Sequence, residues 1–154
     1  KVAREMATGK AYLHQHRDIY GRPALVIKVQ RHIIGEFPMD SSQRLCVHLI
    51  DQAVETAKAE GGEQVVGIFD LSGFEIARNA DFVFARFLVL AFFEYYPRRV
   101  GQILMVDAPW VFQPAWLVIS PLMRKYAALV RFVTAAEMRR EFFTPTTAPP
   151  DMLG

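Results

Sequence analysis

The sequence predicts an α/β protein whose sheet is largely parallel and covered by helices. Short apolar runs of strand length alternate with segments of ten or more residues that have helical spacing. The runs are almost continuously apolar, as expected for strands buried on both faces. Such alternation indicates crossover connections between parallel strands. The predicted strands are residues 24–30, 65–70, 102–107 and 129–133.

The first third of the chain contains a turn, a strand and a long helix. Residues 1–16 mix charged and apolar side chains and are compatible with a short opening helix, and residues 17–23 form a turn before the first predicted strand. Asp40 or Ser41 is the expected cap of a helix that runs to about Glu60, because apolar residues recur there at helical spacing. The adjacent glycines 61 and 62 end it.

The second predicted helix, residues 81–96, is apolar nearly all the way round. Asn79 or Asp81 is its expected cap, and Arg86 is its only charge between Asp81 and Glu94. A helix without a polar face must be surrounded. The pattern leaves open whether protein covers every side or whether one face lines a ligand cavity.

A proline-bracketed aromatic segment follows the third predicted strand. Pro109 and Pro114 interrupt it, and Trp110 and Trp116 lie within it. The tryptophans could stack on nucleic-acid bases, but basic residues are not interleaved with the aromatics as a single-strand groove requires. Core packing or contact with an apolar ligand is the preferred interpretation, and we expect no nucleic-acid partner.

The end of the chain is predicted to hold one more helix and a tail. The helix begins at Thr134 or Ala135 and ends at Phe142, and the proline-rich residues 144–154 are expected to be extended or mobile.

Composition predicts one folded domain over residues 1–154. Hydrophobic residues make up 52% and charged residues 22%, and the net charge is only +2. Cys46 is the only cysteine, which excludes an internal disulfide and suggests a reducing compartment. The longest charge-poor run, residues 100–123, contains Asp107 and three prolines and is not a transmembrane helix.

Two acids raise the question of catalysis. Asp70 and Asp107 each end a predicted parallel strand, where open sheets bind ligands, so together they could hold Mg²⁺ for phosphoryl transfer. We prefer that each acid caps the turn after it, because no lysine, threonine or further acid completes such a site. His14 and His16 alternate onto one face without a third ligand, so we predict no metal site and interpret them as ordinary hydrogen-bonded histidines.

Four motifs together resemble one family. They are YGRP at residues 20–23, DLSG at 70–73, YYPRRVGQILMVDAPWVF at 95–112 and SPLM at 120–123, and the closing PPDMLG adds to them. In this order and at these separations they resemble the CRAL-TRIO, or Sec14-like, lipid-binding domain. The resemblance covers the chain from Asp18 to Gly154.

The resemblance implies a deep apolar pocket for one lipid molecule, in which a mixed sheet forms the floor and helices form the walls. It implies a mobile gate helix at about residues 113–123. The small helical lobe that usually precedes this domain in the family would lie upstream of Lys1. Basic pairs such as Arg98–Arg99 and Arg124–Lys125 could meet anionic headgroups.

The family's headgroup positions differ in this chain. Arg98 and Val130 stand where phosphatidylinositol binders have an acid and a lysine, and Val65 and Gly67 stand where hydroxyl residues face choline phospholipid. Neither set of contacts is retained. Another phospholipid, a sterol-like molecule or an isoprenoid therefore remains open.

We accordingly expect a non-enzymatic lipid-binding and lipid-transfer domain without a cofactor, monomeric, cytoplasmic and transiently bound to membranes. The predicted lipid-binding residues are Phe69, Phe84, Phe87, Leu88, Phe92, Met105, Phe112, Trp116, Ile119 and Leu122. One alternative is a protein-interaction module of a signalling protein with a collapsed pocket. Another is the Mg²⁺-dependent phosphoryl-transfer enzyme that would use Asp70 and Asp107.

Overall fold

The computed structural model describes residues 2–152, which fold around a five-stranded mixed sheet in the order β1-β2-β3-β4-β5. β1 runs antiparallel to β2, and the other neighbours are parallel, so the predicted α/β class is confirmed. The strands are β1 (Ala11–Arg17), β2 (Pro23–Lys28), β3 (Val65–Asp70), β4 (Val100–Val106) and β5 (Val130–Val133).

The edge strand β1 was not among the predicted strands. Its residues are mostly partly buried, with His14 buried and Gln15 exposed, and their polar character gives no continuous apolar run. A tight turn connects it to β2. The Asp18 carboxylate accepts hydrogen bonds from the backbone N–H groups of Tyr20 and Arg22, and it forms an ion pair with Arg22 Nε at 2.7 Å. Gly21 in this turn has φ +80°, which a side chain would disfavour.

Residues 2–152 contain six α-helices, of which the first precedes β1, the last follows β5 and the others lie between strands. The helices are α1 (Val2–Met6), α2 (Met39–Ala59), α3 (Ile76–Asn79), α4 (Phe82–Val89), α5 (Gln113–Ile119) and α6 (Ala135–Phe142). A π-helical segment, Leu90–Tyr95, continues α4, and 3₁₀ segments at Val29–Arg31, Trp110–Phe112 and Ser120–Leu129 lie between the other elements.

Helix caps follow the predictions in part. Thr134 begins α6 with a capping box in which its side chain accepts from the Glu137 N–H, and the Asp81 side chain caps α4 by accepting from the Phe84 N–H. Asp40 and Ser41 do not cap α2, because that helix begins at Met39 after Pro38 and both lie inside its first turn.

The sheet separates two apolar layers. Along β2, for example, Leu25 belongs to the layer that contains α2 and the π-helical segment, whereas Ala24 and Val26 belong to the layer beneath α6 and the tail. Strand residues alternate between the faces, so each strand contributes to both layers. This explains why the parallel strands are apolar without interruption.

The tail is not extended as predicted. Residues 144–152 turn back through hydrogen bonds from the N–H groups of Thr147 and Ala148 to the Thr144 carbonyl, and Ala148 and Met152 are buried against the sheet. Asp151 holds the tail in place, because it lies 3.3 Å from Lys28 Nζ and accepts a hydrogen bond from the Tyr12 hydroxyl. Residues 153–154 of the predicted tail lie outside the described part of the chain.

His14 is a hydrogen-bonded histidine, as preferred. Its Nε2 lies 2.6 Å from the Thr147 carbonyl oxygen, and its ring packs edge-on against Phe143. Among residues 2–152, no group of three or more His, Cys, Asp or Glu side chains is arranged to hold a metal ion.

The two strand-end acids have structural partners. Asp70 accepts from the N–H and hydroxyl of Ser72 and pairs with Lys28 Nζ at 2.9 Å, while Asp107 accepts from the Ala135 N–H at the start of α6. The prediction that each acid caps the turn after it is confirmed for Asp70 and is wrong for Asp107, whose partner lies at the start of α6, 28 residues further along the chain.

The apolar helix α4 is not surrounded as its composition predicts. Val83 is 69% and Phe82 39% exposed, and none of its residues is fully buried. Only the π-helical segment that follows is deeply packed, through Ala91, Phe92 and Phe93.

Among residues 2–152, none of the helices has both the length and the apolar character that a membrane span requires.

Candidate functional site

A cavity of about 130 Å³ lies between one face of the sheet and the helices α4 and α5. On the same scale, one water molecule needs about 10–15 Å³. We call this space the main cavity. Its lining residues are Ile27, Val29, His32, Phe69, Leu71, Phe74, Asn79, Ala80, Asp81, Phe82, Phe84, Ala85, Leu88, Val89, Phe92, Phe93, Ile103, Met105, Phe112, Ala115, Trp116, Ile119, Met123 and Val130.

Eight of the ten predicted site residues line the main cavity. The two that do not are Phe87 and Leu122. Phe87 lies over Phe84, with ring centroids 6.1 Å apart, and Leu122 is 41% exposed on the outer side of its segment. That the other eight contact a lipid stays a prediction.

The floor of the main cavity consists of adjacent strand residues in register. Ile27, Phe69 and Met105 are paired across β2, β3 and β4, and Ile103 is paired with Val130 on β5. Phe69 and Met105 were predicted as lining residues, whereas Ile27, Ile103 and Val130 were not. The alternation of side chains along a strand could have indicated Ile103, because it lies two residues before Met105 and faces the same side.

Gly67 lies beneath the floor residue Ile103 and leaves no room for a side chain of its own. A Cβ at this position would lie 2.9 Å from Ile103 Cδ1, so a side chain here would displace the end of Ile103, whereas Phe92 Cε2 at 3.5 Å would remain at an ordinary contact distance. This strand position therefore favours glycine for space.

Three polar side chains of the main cavity, His32, Asn79 and Asp81, have hydrogen-bond partners within the protein. Asp81 accepts from the Phe84 N–H with Oδ1 and lies 3.0 Å from His32 Nε2 with Oδ2. Asn79 donates to the carbonyl oxygens of Gln30 and His32 and accepts from the Glu75 N–H. No sequence pattern indicated His32 or Asn79 as lining residues.

The helix α5 forms the outer wall. Ala115, Trp116 and Ile119 face the cavity, and the Trp116 indole packs edge-on against Phe132 at 5.1 Å. The opposite side of the helix is open, with Leu117 65% and Val118 53% exposed.

Trp110, just before α5, is 86% exposed, so its predicted core or ligand contact is absent here. After α5, the 3₁₀ segment Ser120–Leu129 is anchored by Tyr126, which stacks on Phe93 at 4.1 Å and donates to Glu94. An apolar outer surface therefore continues from Trp110 along the exposed side of α5, next to a segment that is held in place.

A smaller side cavity of about 40 Å³ adjoins the main one. Five residues line both spaces and separate them: Ile27, His32, Phe84, Leu88 and Phe92. The other residues of the side cavity are Glu5, Lys10, Ala11, Leu25, Ser42, Leu45, Cys46 and Leu49.

The side cavity has a polar end. Glu5 Oε2 lies 2.9 Å from Lys10 Nζ and accepts from the Ser42 hydroxyl at 2.5 Å, and Lys10 Nζ lies 3.2 Å from His32 Nδ1. Burial raises the pKa of Glu5, but Ser42, Lys10 and Ser41 lower it by more, so the pKa lies below its ordinary value. Burial raises the pKa of Cys46 to about 12, so this thiol stays protonated at neutral pH.

The arrangement can enclose an apolar molecule. The main cavity has almost only carbon atoms on its walls, its few polar groups are occupied, and no lysine or arginine is among its lining residues.

Comparison with known proteins agrees with this geometry. The family model for the CRAL/TRIO domain matches residues 6–144. The chain is 26% identical over 153 residues to the CRAL-TRIO domain-containing protein C3H8.02 of Schizosaccharomyces pombe, covering 92% of this chain and 34% of that protein. It is 27% identical over 154 residues to the phosphatidylinositol transfer protein CSR1 of Eremothecium gossypii, covering 99% of this chain and 35% of that protein.

The fold also matches a solved structure. The crystal structure of Sfh5 superimposes with a TM-score of 0.71 at 13% identity, over 87% of this chain and 50% of that one. The chain spans about a third of the length of the two curated relatives. On the family match over most of its length, the chain belongs to the CRAL/TRIO domain family.

Proposed function

We propose that this domain binds one hydrophobic lipid molecule in the main cavity and transfers or presents it between membranes. The observation that carries the proposal is a cavity walled by apolar side chains, in which His32, Asn79 and Asp81 are hydrogen-bonded within the protein. The family match and a relative named as a phosphatidylinositol transfer protein support lipid binding at the level of the family.

The energetics favour exchange over one-way uptake. Burying an acyl chain recovers about 0.8 kcal/mol per CH₂ group, but a chain taken from a bilayer has already gained that free energy there. Transfer is therefore nearly an exchange between two apolar environments, and its rate depends on how readily the cavity opens.

The helix α5 is the proposed gate. It forms the outer wall through Ala115, Trp116 and Ile119, and it is short and flanked by 3₁₀ segments rather than by long helices. Its outward movement would open the main cavity along its whole length. The 3₁₀ segment anchored by Tyr126 would stay in place and bound the opening.

The proposed membrane contact is the outer side of this gate. Trp110, Leu117 and Val118 are exposed apolar side chains, and Arg124 and Lys125 are exposed charges a few residues further along. Aromatic residues favour the membrane interface and basic residues favour anionic headgroups. The domain would thus act as a peripheral, cytoplasmic protein that reaches a membrane with its gate.

Filling the main cavity tests the proposal. Ala115→Phe adds a ring at a buried position of the gate wall, and we expect it to lower the rate of fluorescent-lipid transfer between liposomes at least tenfold. Ala128→Phe makes the same change at an exposed position and should leave the rate within about twofold.

Circular dichroism and thermal melting would show whether each variant is folded. Unchanged transfer by a folded Ala115→Phe protein would contradict the proposed cavity. Absence of transfer by the unaltered domain, with any lipid offered, would contradict the proposed function itself.

A further inference from the structure

The side cavity is lined by Glu5, which carries one of three buried side-chain atoms without a hydrogen-bond partner among residues 2–152; the other two are Arg22 Nη2 and Ser41 Oγ. Glu5 is fully buried and lines this space, and its Oε1 has no hydrogen-bond partner in the described part of the chain. A buried carboxylate oxygen without a donor has lost the hydrogen bonds that water would supply, which costs free energy. A ligand that supplied a donor would recover that cost.

Lys10 pairs with the other oxygen of the same carboxylate and has one N–H donor that is not used within residues 2–152. Its ammonium group has three N–H donors, of which one meets Glu5 Oε2 at 2.9 Å and another meets His32 Nδ1 at 3.2 Å. The remaining group near it is the face of the Phe37 ring, 5.0 Å from Nζ to the ring centroid. One N–H is therefore without a nitrogen or oxygen acceptor among residues 2–152.

One spare acceptor beside one spare donor matches a hydroxyl group, which donates one hydrogen bond and accepts others. We propose that the side cavity binds the uncharged hydroxyl end of a lipid whose apolar body occupies the main cavity. The hydroxyl would donate to Glu5 Oε1 and accept from Lys10 Nζ. This inference rests on the proposed function, because it names the polar end of the same ligand.

The charges around the side cavity disfavour a phosphate there. Glu5 and Lys10 form a buried pair that cancels to zero, and a phosphate oxygen near Glu5 Oε1 would meet a like charge in a poorly screened environment. Asp81, on the far side of His32, adds a further negative charge. No lysine or arginine of the main cavity is available to compensate.

The two cavities can join through side chains alone. His32 stacks on Phe84 at 5.0 Å, and these two rings with Leu88 and Phe92 form most of the partition. Rotation of Phe84 about its side-chain bonds would connect the spaces without moving the sheet. A slender molecule could then extend from the α5 wall to Lys10.

Three probes with one apolar body and different polar ends test the inference. They are 12-(1-pyrenyl)dodecan-1-ol, its methyl ether and its phosphate monoester, each offered in phosphatidylcholine liposomes. The ether accepts but cannot donate to Glu5. We expect the alcohol to bind at least tenfold more tightly than either analogue, measured by pyrene fluorescence.

A double variant removes the polar end. Glu5→Leu together with Lys10→Met replaces the buried pair by apolar groups of similar size, a change that proteins often tolerate. The preference for the alcohol over the ether should fall to within twofold, and continued binding of the ether through its apolar body reports that the domain is folded. Glu63→Gln, at an exposed glutamate, is the matched control and should keep the full preference.

The outcomes separate this inference from the proposed function. Tightest binding of the phosphate, equal binding of alcohol and ether, or a preference that survives in the double variant would each overturn the hydroxyl site while leaving lipid binding intact. Binding of none of the three probes would overturn both.

Discussion

At the scale of single residues, Glu5 is a buried charged group that several partners hold in place. Its carboxylate is buried, pairs with Lys10 at 2.9 Å and accepts from Ser42. These partners favour the charged form over the cost of burial, which is why its pKa lies below the ordinary value. Nothing in the sequence pattern of residues 1–16 indicated this role, because charged residues near a chain end are usually solvated.

The lowered pKa of Glu5 predicts a pH dependence of stability. A depressed carboxyl pKa contributes stability that is fully present above the unfolded value, about 4.3, and that is lost as the pH falls through the lower folded value. The free energy of unfolding of the unaltered domain should therefore drop on acidification below about pH 4.5. In Glu5→Gln this part of the drop should be absent.

Urea denaturation of both proteins at pH 7 and at pH 3.5 measures the effect. The difference in unfolding free energy between them should be smaller at the lower pH. A difference that is the same at both values would show that Glu5 gains nothing from its partners when charged.

At the scale of elements, α5 combines an inner wall and an exposed apolar outer side. Its inner residues Trp116 and Ile119 were expected in the pocket and line the main cavity, as does Phe112 just before the helix. Leu122 was expected there too, but the helix ends at Ile119 and the following 3₁₀ segment turns that side chain outward. A change of helix type three residues earlier is not visible in a hydrophobic pattern.

The outer side of α5 predicts how the domain meets a membrane. Leu117→Gln with Val118→Gln removes two exposed apolar side chains, each of which gains about 1.5 kcal/mol or more on burial in a bilayer. We expect liposome binding to weaken at least tenfold in a flotation assay, and transfer to slow with it. The unfolding free energy should change by less than about 0.5 kcal/mol, because neither side chain is packed.

Ile19→Gln is the control, since Ile19 is also exposed but lies in the β1–β2 turn. If both proteins bind liposomes alike, the outer side of α5 is not the membrane contact.

At the scale of the whole molecule, the sheet separates the layer that contains the main cavity from the layer beneath α6 and the tail. The parallel pairing is what the apolar runs indicated, which is why the fold class could be predicted. The hairpin strand β1 and the packed tail could not, because both depend on distant partners. Tyr12 and Asp151, for instance, are 139 positions apart in the chain and joined by one hydrogen bond.

This division predicts that the tail affects stability and not ligand binding. Met152 is buried under the sheet on the side of α6, so Met152→Ala should cost about 2 kcal/mol of unfolding free energy in urea. Lipid uptake should stay within about twofold of the unaltered domain, since the main cavity lies on the other face. Pro150→Ala, at an exposed neighbour, should change neither quantity. A Met152→Ala protein that is stable but defective in uptake would contradict the separation of the two layers.

Native mass spectrometry of the purified domain, followed by organic extraction and lipid mass spectrometry, tests directly whether the domain binds one lipid molecule in the main cavity. We expect one bound lipid per chain, either co-purified or taken up from mixed liposomes, and its loss in Ala115→Phe. A mass that equals the bare chain, together with no uptake from mixed liposomes, would contradict lipid binding and favour the protein-interaction module with a collapsed pocket.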